Sequence, residues 1–266
     1  MNLNDIFAGA NNYAPAIKRK LLPVLIEQME LESKKTYPPK EEAQFRASGI
    51  GGCKRKMMYK LLGYEEQLDH ISVFTLEQGT LIHEMIQGYL QRAGVIESLE
   101  EELKILPNLN GHYDGVLVLN GERYLLEIKT INGEAYERLL KYNSVYKKYI
   151  LQAHCYMHAL GLDKTLFLFV NKNHMLSDSC KEEVPDADPL FHEVEVRFDE
   201  SVWGEVKDKV SELTNDFKNG VMPAFKRVSE CSYCNFKNQC ESDWQKEKEA
   251  KKKAKKAKAS ESNLEQ

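Results

Sequence analysis

A chain of 266 residues, 42% of them hydrophobic, can bury one sizeable core with at most a small appendage. No apolar stretch is of signal-peptide type or long enough to span a bilayer; the longest, Leu166 to Val170, is strand-sized, so a membrane role is excluded and a cytoplasmic, intracellular protein is expected. The net charge of −4 conceals an asymmetry: residues 246 to 258 hold eight lysines against two glutamates, leaving −10 on the rest, so any attraction for phosphate must be local.

Residues 1–15 show no period and are expected to be loosely ordered. Ala16 to Leu31 reads as a helix that Pro23 limits or kinks, and Pro38-Pro39 marks a linker; residues 1–45 form an N-terminal helix and linker. A core is expected over 46–241 and a lysine-rich, disordered tail over 242–266. The core opens on a Gly-rich turn, Ser48 to Cys53, and a helix through Met57, Met58, Leu61 and Leu62 that stops at Gly63. A second helix is expected from about Leu76 to Arg92 and a strand at Leu103 to Leu106. A hairpin follows, then a helical region broken near Asn143-Ser144, whose second part, Val145 to Leu160, is closed by Gly161. Strands are expected at Thr165 to Asn171 and Glu193 to Phe198, joined by a polar loop with Pro185 and Pro189. Asp199 caps a further helix ending near Lys218. This order predicts an α/β fold with a central mixed β-sheet flanked by helices.

The hairpin holds the chemistry. Asn120-Gly121 between apolar runs signals a two-residue type I′ loop. With that loop Leu119 faces Glu122, Asp114 faces Glu127, and the period of two puts Lys129 on the Glu127 face. Leu117, Leu119, Tyr124, Leu126 and Ile128 form the opposite, core face. Two carboxylates side by side repel unless a cation lies between them. On the hairpin alone, a solvated acidic pair accounts for the pattern as well as a divalent-metal site does.

Six cysteines in an intracellular chain argue for metal over disulfides. Cys231, Cys234 and Cys240 lie close in sequence, and a Cys-x2-Cys pair serves both zinc and iron–sulfur sites. Cys155 reads as a core residue on a helix, and Cys180 as an idle loop thiol.

Asp114, then Glu127-Ile128-Lys129 after a run of twelve residues, resembles the PD-(D/E)xK nuclease superfamily and within it the RecB-like branch. Gly79 to His83 resembles that branch's upstream Gly-x-x-x-His motif, and Gln152 to Tyr156 its downstream Gln-x-x-x-Tyr motif. Cys53 with Cys231, Cys234 and Cys240 resembles the four iron–sulfur ligands of AddB-type nucleases and CRISPR-associated RecB-like exonucleases. The likeness spans roughly residues 46 to 241; Tyr113 stands where the superfamily has its proline. It implies a restriction-endonuclease-like core with N- and C-terminal segments joined by the cluster. It further implies Mg²⁺ or Mn²⁺ held by His83, Asp114, Glu127 and the Ile128 carbonyl, catalysis by Lys129, and a [4Fe–4S] cluster on the four cysteines. Gln152 and Tyr156 would line a DNA groove, and Arg46, Ser48 and Arg55 would bind phosphates beside the cluster. The implied activity is a metal-dependent DNA exonuclease acting at DNA ends in recombination, repair, replication or CRISPR adaptation, with DNA that is single-stranded or has ends, and a helicase, recombinase or CRISPR-adaptation protein, as partners. The alternative is a catalytically inactive nucleic-acid-binding or scaffold module with a structural metal.

Overall fold

In a computed structural model of the chain, the described residues are 21–34, 38–66 and 68–262. The unpatterned stretch over 1–15 and the first residues of the helix expected from Ala16 lie outside them. Helix α1 (Leu21–Glu32) lies against α4 (His70–Arg92), tied by Glu30 to the His70 ring at 3.1 Å and by Ser33 Oγ to the Leu68 carbonyl at 3.0 Å. The core proper begins at β1 (Phe45–Arg46), α2 (Ala47–Ile50) and α3 (Lys54–Leu61). α4 starts six residues before the sequence pattern indicates, because Asp69 caps it by accepting the Ser72 backbone N–H at 2.7 Å.

The strands form two sheets. A three-stranded sheet has the order β1-β4-β3, with β3 at Glu102–Leu106 and β4 at Leu109–His112. The central sheet has the order β2-β5-β6-β7-β8: Ile96–Ser98, Gly115–Leu119, Glu122–Ile131, Lys164–Asn171 and Phe191–Arg197. β6 pairs antiparallel with β5 and parallel with β7, so the central sheet is mixed. The crossover between β6 and β7 carries α5 (Gly133–Tyr142) and α6 (Lys147–Leu160), parted where Asn143 takes a left-handed φ of 45°. The polar loop before β8 contains a helix, α7 (Asp178–Glu183), and Cys180 on it is buried in the core; the thiol read as idle is a packing residue. After β8 come α8 (Glu200–Lys218), a short 3₁₀ turn (Ser229–Tyr233) and α9 (Lys237–Ser262).

The hairpin register is the one the Asn-Gly loop dictates. Leu119 pairs with Glu122 and Gly115 with Leu126, and Asn120 and Gly121 have φ of 53° and 82°, the two positive values a type I′ turn needs. Both faces of the sheet are buried, which corrects the expectation of a single core face. Leu117, Leu126 and Ile128 meet Ile86 of α4 and Val170 in the smaller cluster. Leu125, Phe167 and Phe169, on the Glu127 face, join the larger one, with Tyr156 and Met157 of α6 and Trp203, Val206, Val210 and Leu213 of α8. The carboxylate face is thus the more enclosed of the two.

α9 departs from the boundary expected at 242. Trp244 stacks on Phe225 with ring centroids 4.8 Å apart, Asp243 accepts the Tyr59 hydroxyl at 2.9 Å, and Glu247 pairs with Arg55 at 2.9 Å. The helix therefore docks on the core into the lysine-rich stretch. α6 is held closely at its start: a Cβ on Gly51 would collide with the Lys148 backbone, whose carbonyl oxygen would be 2.7 Å away. Gly51→Ala is expected to cost about 1–3 kcal/mol, read as a fall in Tm by circular dichroism. An unchanged Tm would mean that the start of α6 yields freely.

Candidate active site

β6 carries Glu127 and Lys129 on the α6-covered face, each paired in the parallel ladder with a phenylalanine of β7, Phe167 and Phe169. Asp114 occupies a bend just before β5, one residue short of the ladder, not a strand position. Its Oδ2 accepts the Ile128 backbone N–H at 2.7 Å, which fixes the carboxylate beside β6. α4 supplies His83, whose Nδ1 is 3.7 Å from Asp114 Oδ2. Gln87, one helical turn further, donates to the Asp114 carbonyl at 2.8 Å and to Glu100 Oε1 at 3.0 Å.

The electrostatics are those of buried, mutually dependent charges. Glu127 is fully buried; its Oε2 accepts Lys129 Nζ at 2.5 Å, and its Oε1 has no hydrogen-bond partner among the described residues. Burial pushes the Glu127 carboxyl up to about 7, with Lys129 opposing and Asp114 reinforcing the rise. Burial alone would lower the Lys129 ammonium, but Glu127 and Asp114 outweigh it and hold it above the ordinary value. His83 is lowered by burial, against the pull of Asp114.

An unpartnered buried carboxylate oxygen is costly. Its neighbours Asp114, Ile128 and His83 complete an oxygen-rich donor set of the kind hard divalent cations prefer. These residues fit Mg²⁺ or Mn²⁺ in chemistry. Among the described residues no group of three or more His, Cys, Asp or Glu side chains is placed to hold a metal ion.

The other candidate residues divide. Gln152 and Tyr156 are buried, Tyr156 at 1% exposure, where a Cβ on Gly111 would come 2.8 Å from its hydroxyl. They stand behind the carboxylates and do not line an open groove, because the helix carrying them is sandwiched between the sheet and α8. Arg46 and Ser48 are exposed, and Arg46 Nη1 is 3.3 Å from His112 Nδ1. Arg55 corrects the expectation of a phosphate contact. It is 2% exposed and donates to the Pro223 carbonyl at 2.9 Å, to Glu247, and to the Tyr59 hydroxyl at 3.2 Å.

Cys53, Cys231, Cys234 and Cys240 all line one cavity of about 590 Å³, although Cys53 lies far from the trio in sequence. Burial raises the thiols of Cys234 and Cys240. Two cations flank the quartet. The charge of Arg55 acts on Cys240 against the rise that burial causes, and its buried Nε has no partner among the described residues. Lys209, lowered by burial and by Lys54, faces Cys53 and donates to the Gly52 carbonyl at 2.9 Å. Four sulfurs with Arg55 and the half-buried Lys209 beside them have the donor chemistry of a thiolate-bound metal group, while among the described residues no three of the cysteines are placed to hold one ion.

Sequence reasoning missed Gln87 and Glu100. Gln87 follows His83 by four residues and so shares its helix face, a legible signal. Glu100 is brought in by a left-handed φ of 46°, which no residue pattern announces.

No family model matches the chain, and no curated protein does. Among solved structures it is similar to LHK-Exo, an alkaline exonuclease from Laribacter hongkongensis, with a TM-score of 0.49 at 14% identity over 73% of this chain and 93% of that one. LHK-Exo in complex with dAMP gives a TM-score of 0.50 at 16% identity over 67% and 89%. A phage-related exonuclease from Haemophilus somnus 129PT gives 0.38 at 15% identity over 67% and 95%. What the chain shares with LHK-Exo is a fold, α/β with mixed sheets flanked by helices.

Proposed function

We propose that this protein is a Mg²⁺- or Mn²⁺-dependent DNA exonuclease of the RecB-like kind, hydrolysing phosphodiester bonds at DNA ends. The observation that carries the reading is the buried Glu127, one oxygen bound to Lys129 and the other without a partner, next to Asp114 and His83. A carboxylate kept in so costly a state, beside a second one, is what a metal-dependent site requires. The fold shared with LHK-Exo, solved with the deoxynucleotide dAMP, supports DNA as the substrate class.

Asp114, Glu127, His83 and the Ile128 carbonyl would hold the metal, which when bound supplies Lewis acidity toward the phosphate and an acidified water. Lys129 would keep its proton on Nζ and hydrogen-bond the attacking water or the phosphate oxygen on which charge grows. The Ile128 N–H keeps Asp114 turned toward β6, and Gln87 holds the Asp114 main chain. Phe167 and Phe169 give the site low-dielectric walls, which strengthen each of these interactions.

The four cysteines are assigned to a [4Fe–4S] cluster, with zinc as the other occupant their chemistry allows. DNA ends are the expected partner, and unwinding would come from a helicase, recombinase or CRISPR-adaptation complex. Among the described residues no helix is long and apolar enough to cross a membrane.

The test is digestion of end-labelled linear and closed circular DNA with Mg²⁺, Mn²⁺ or a chelator. Metal-dependent loss of linear DNA with circles spared is expected. A metal-loaded wild type that cuts neither would favour the inactive binding module.

A further inference from the structure

Beside Lys129 lies a set of aromatic and basic residues that the hydrolytic site does not use. Lys129 Nζ stands 5.3 Å from the centre of the Tyr149 ring. Tyr149 meets Tyr146 edge-on with centroids 6.0 Å apart, and Lys148 Nζ is 5.1 Å from the Tyr149 ring and 6.0 Å from that of Tyr146. Tyr233, on the 3₁₀ turn, lines the same cavity as Lys148. Tyr146 is 45% exposed and Tyr233 64% exposed, so two large aromatic faces stay open to solvent. The patch starts at the catalytic lysine and ends at Lys148 and Tyr233, on the wall of the cysteine cavity.

From this geometry we infer that Tyr146, Tyr149 and Tyr233, with Lys148, form a base-stacking platform that feeds single-stranded DNA to the Glu127–Lys129 site. The inference rests on the nuclease reading and adds the residues that would engage a single strand. Exposed aromatic faces interleaved with lysine bind nucleic acid by stacking bases and pairing phosphates, without sequence preference. In a duplex the base faces are stacked on one another and cannot reach the tyrosines. The reaction centre itself is recessed, with Glu127 fully buried and Lys129 at 14% exposure, so a slender strand suits it better than a duplex. Close packing of the Lys148 backbone on Gly51 gives the platform a rigid base.

Tyr146→Ala, Tyr233→Ala and Tyr146→Phe test the platform without touching the metal residues. Binding of a labelled single-stranded oligonucleotide and its duplex is measured by fluorescence anisotropy in chelator. Hydrolysis of thymidine 5′-monophosphate p-nitrophenyl ester, a diester with no second base, is followed with Mn²⁺. Each alanine is expected to weaken single-strand binding roughly 10-fold, with duplex binding and ester hydrolysis unchanged and the phenylalanine variant close to wild type. Alanine variants that bind single strands like wild type would overturn the platform, and so would equal losses for strand and duplex. Failure of the wild type to cut the ester would count against the metal site alone, because the binding measurements decide the platform separately.

Discussion

Lys129→Ala is expected to lower metal-dependent DNA hydrolysis by roughly 10²–10⁴-fold, the range for removing a positioned proton-handling or charge-stabilising group. Loss of activity alone would not separate chemistry from folding. Glu127 is fully buried and Lys129 is its hydrogen-bond partner, so deleting the lysine leaves a buried carboxylate alone and destabilises the protein as well. Glu127→Gln separates the two effects. The glutamine's amide oxygen can still accept Lys129 Nζ, and Asp114 remains to offset the ammonium, so in chelator the variant should melt above Lys129→Ala while activity falls to background. Added Mg²⁺ or Mn²⁺ should raise the Tm of the wild type by mass action and leave that of Glu127→Gln unmoved. A variant that keeps both the metal-induced rise and the activity would remove Glu127 from the site. If Lys129→Ala stayed fully active, the lysine would have only a structural pairing role.

The hairpin was the most legible part of this molecule because its rules are local. Asn120-Gly121 fixes the loop, the loop fixes the register, and the period of two then puts Glu127 and Lys129 on one face. Asp114 follows less directly, since the ladder stops at Gly115 and a backbone hydrogen bond from Ile128 positions the carboxylate. Burial was harder to read. Arg55 looks in sequence like a basic residue beside Arg46 at a site entrance, yet a carbonyl and a carboxylate from distant segments and the hydroxyl of Tyr59 gather around it. Tyr156 was ambiguous because four-residue spacing defines a helix face without saying what covers it. The docking of α9 had one available signal, Trp244, an aromatic residue at the edge of a lysine-rich run that stacks on Phe225.

Cys53→Ser should have the largest effect on stability. In wild type, a metal group held by Cys53 and the Cys231–Cys240 trio would join two segments separated by most of the chain, at the cavity where all four cysteines meet. Loop-closure entropy for a connection that long is worth on the order of 5 kcal/mol in the chain-entropy picture, a large fraction of a typical domain's 5–15 kcal/mol. The Tm should fall by roughly 10–20 °C. Anaerobically purified wild type should be brown and carry iron and sulfide, and Cys53→Ser should lose both the colour and the iron. Arg55→Lys gives an independent check. The guanidinium donates to Tyr59, Glu247 and the Pro223 carbonyl and its charge acts on Cys240, and an ammonium cannot reproduce that fork. Its cluster should therefore bleach faster in air than that of wild type. A colourless wild type with one equivalent of zinc would replace the cluster by zinc and keep the clip. Metal-free wild type as stable as the metal-loaded form would remove the clip itself, leaving Arg55, Tyr59 and Trp244 to hold α9 on the core.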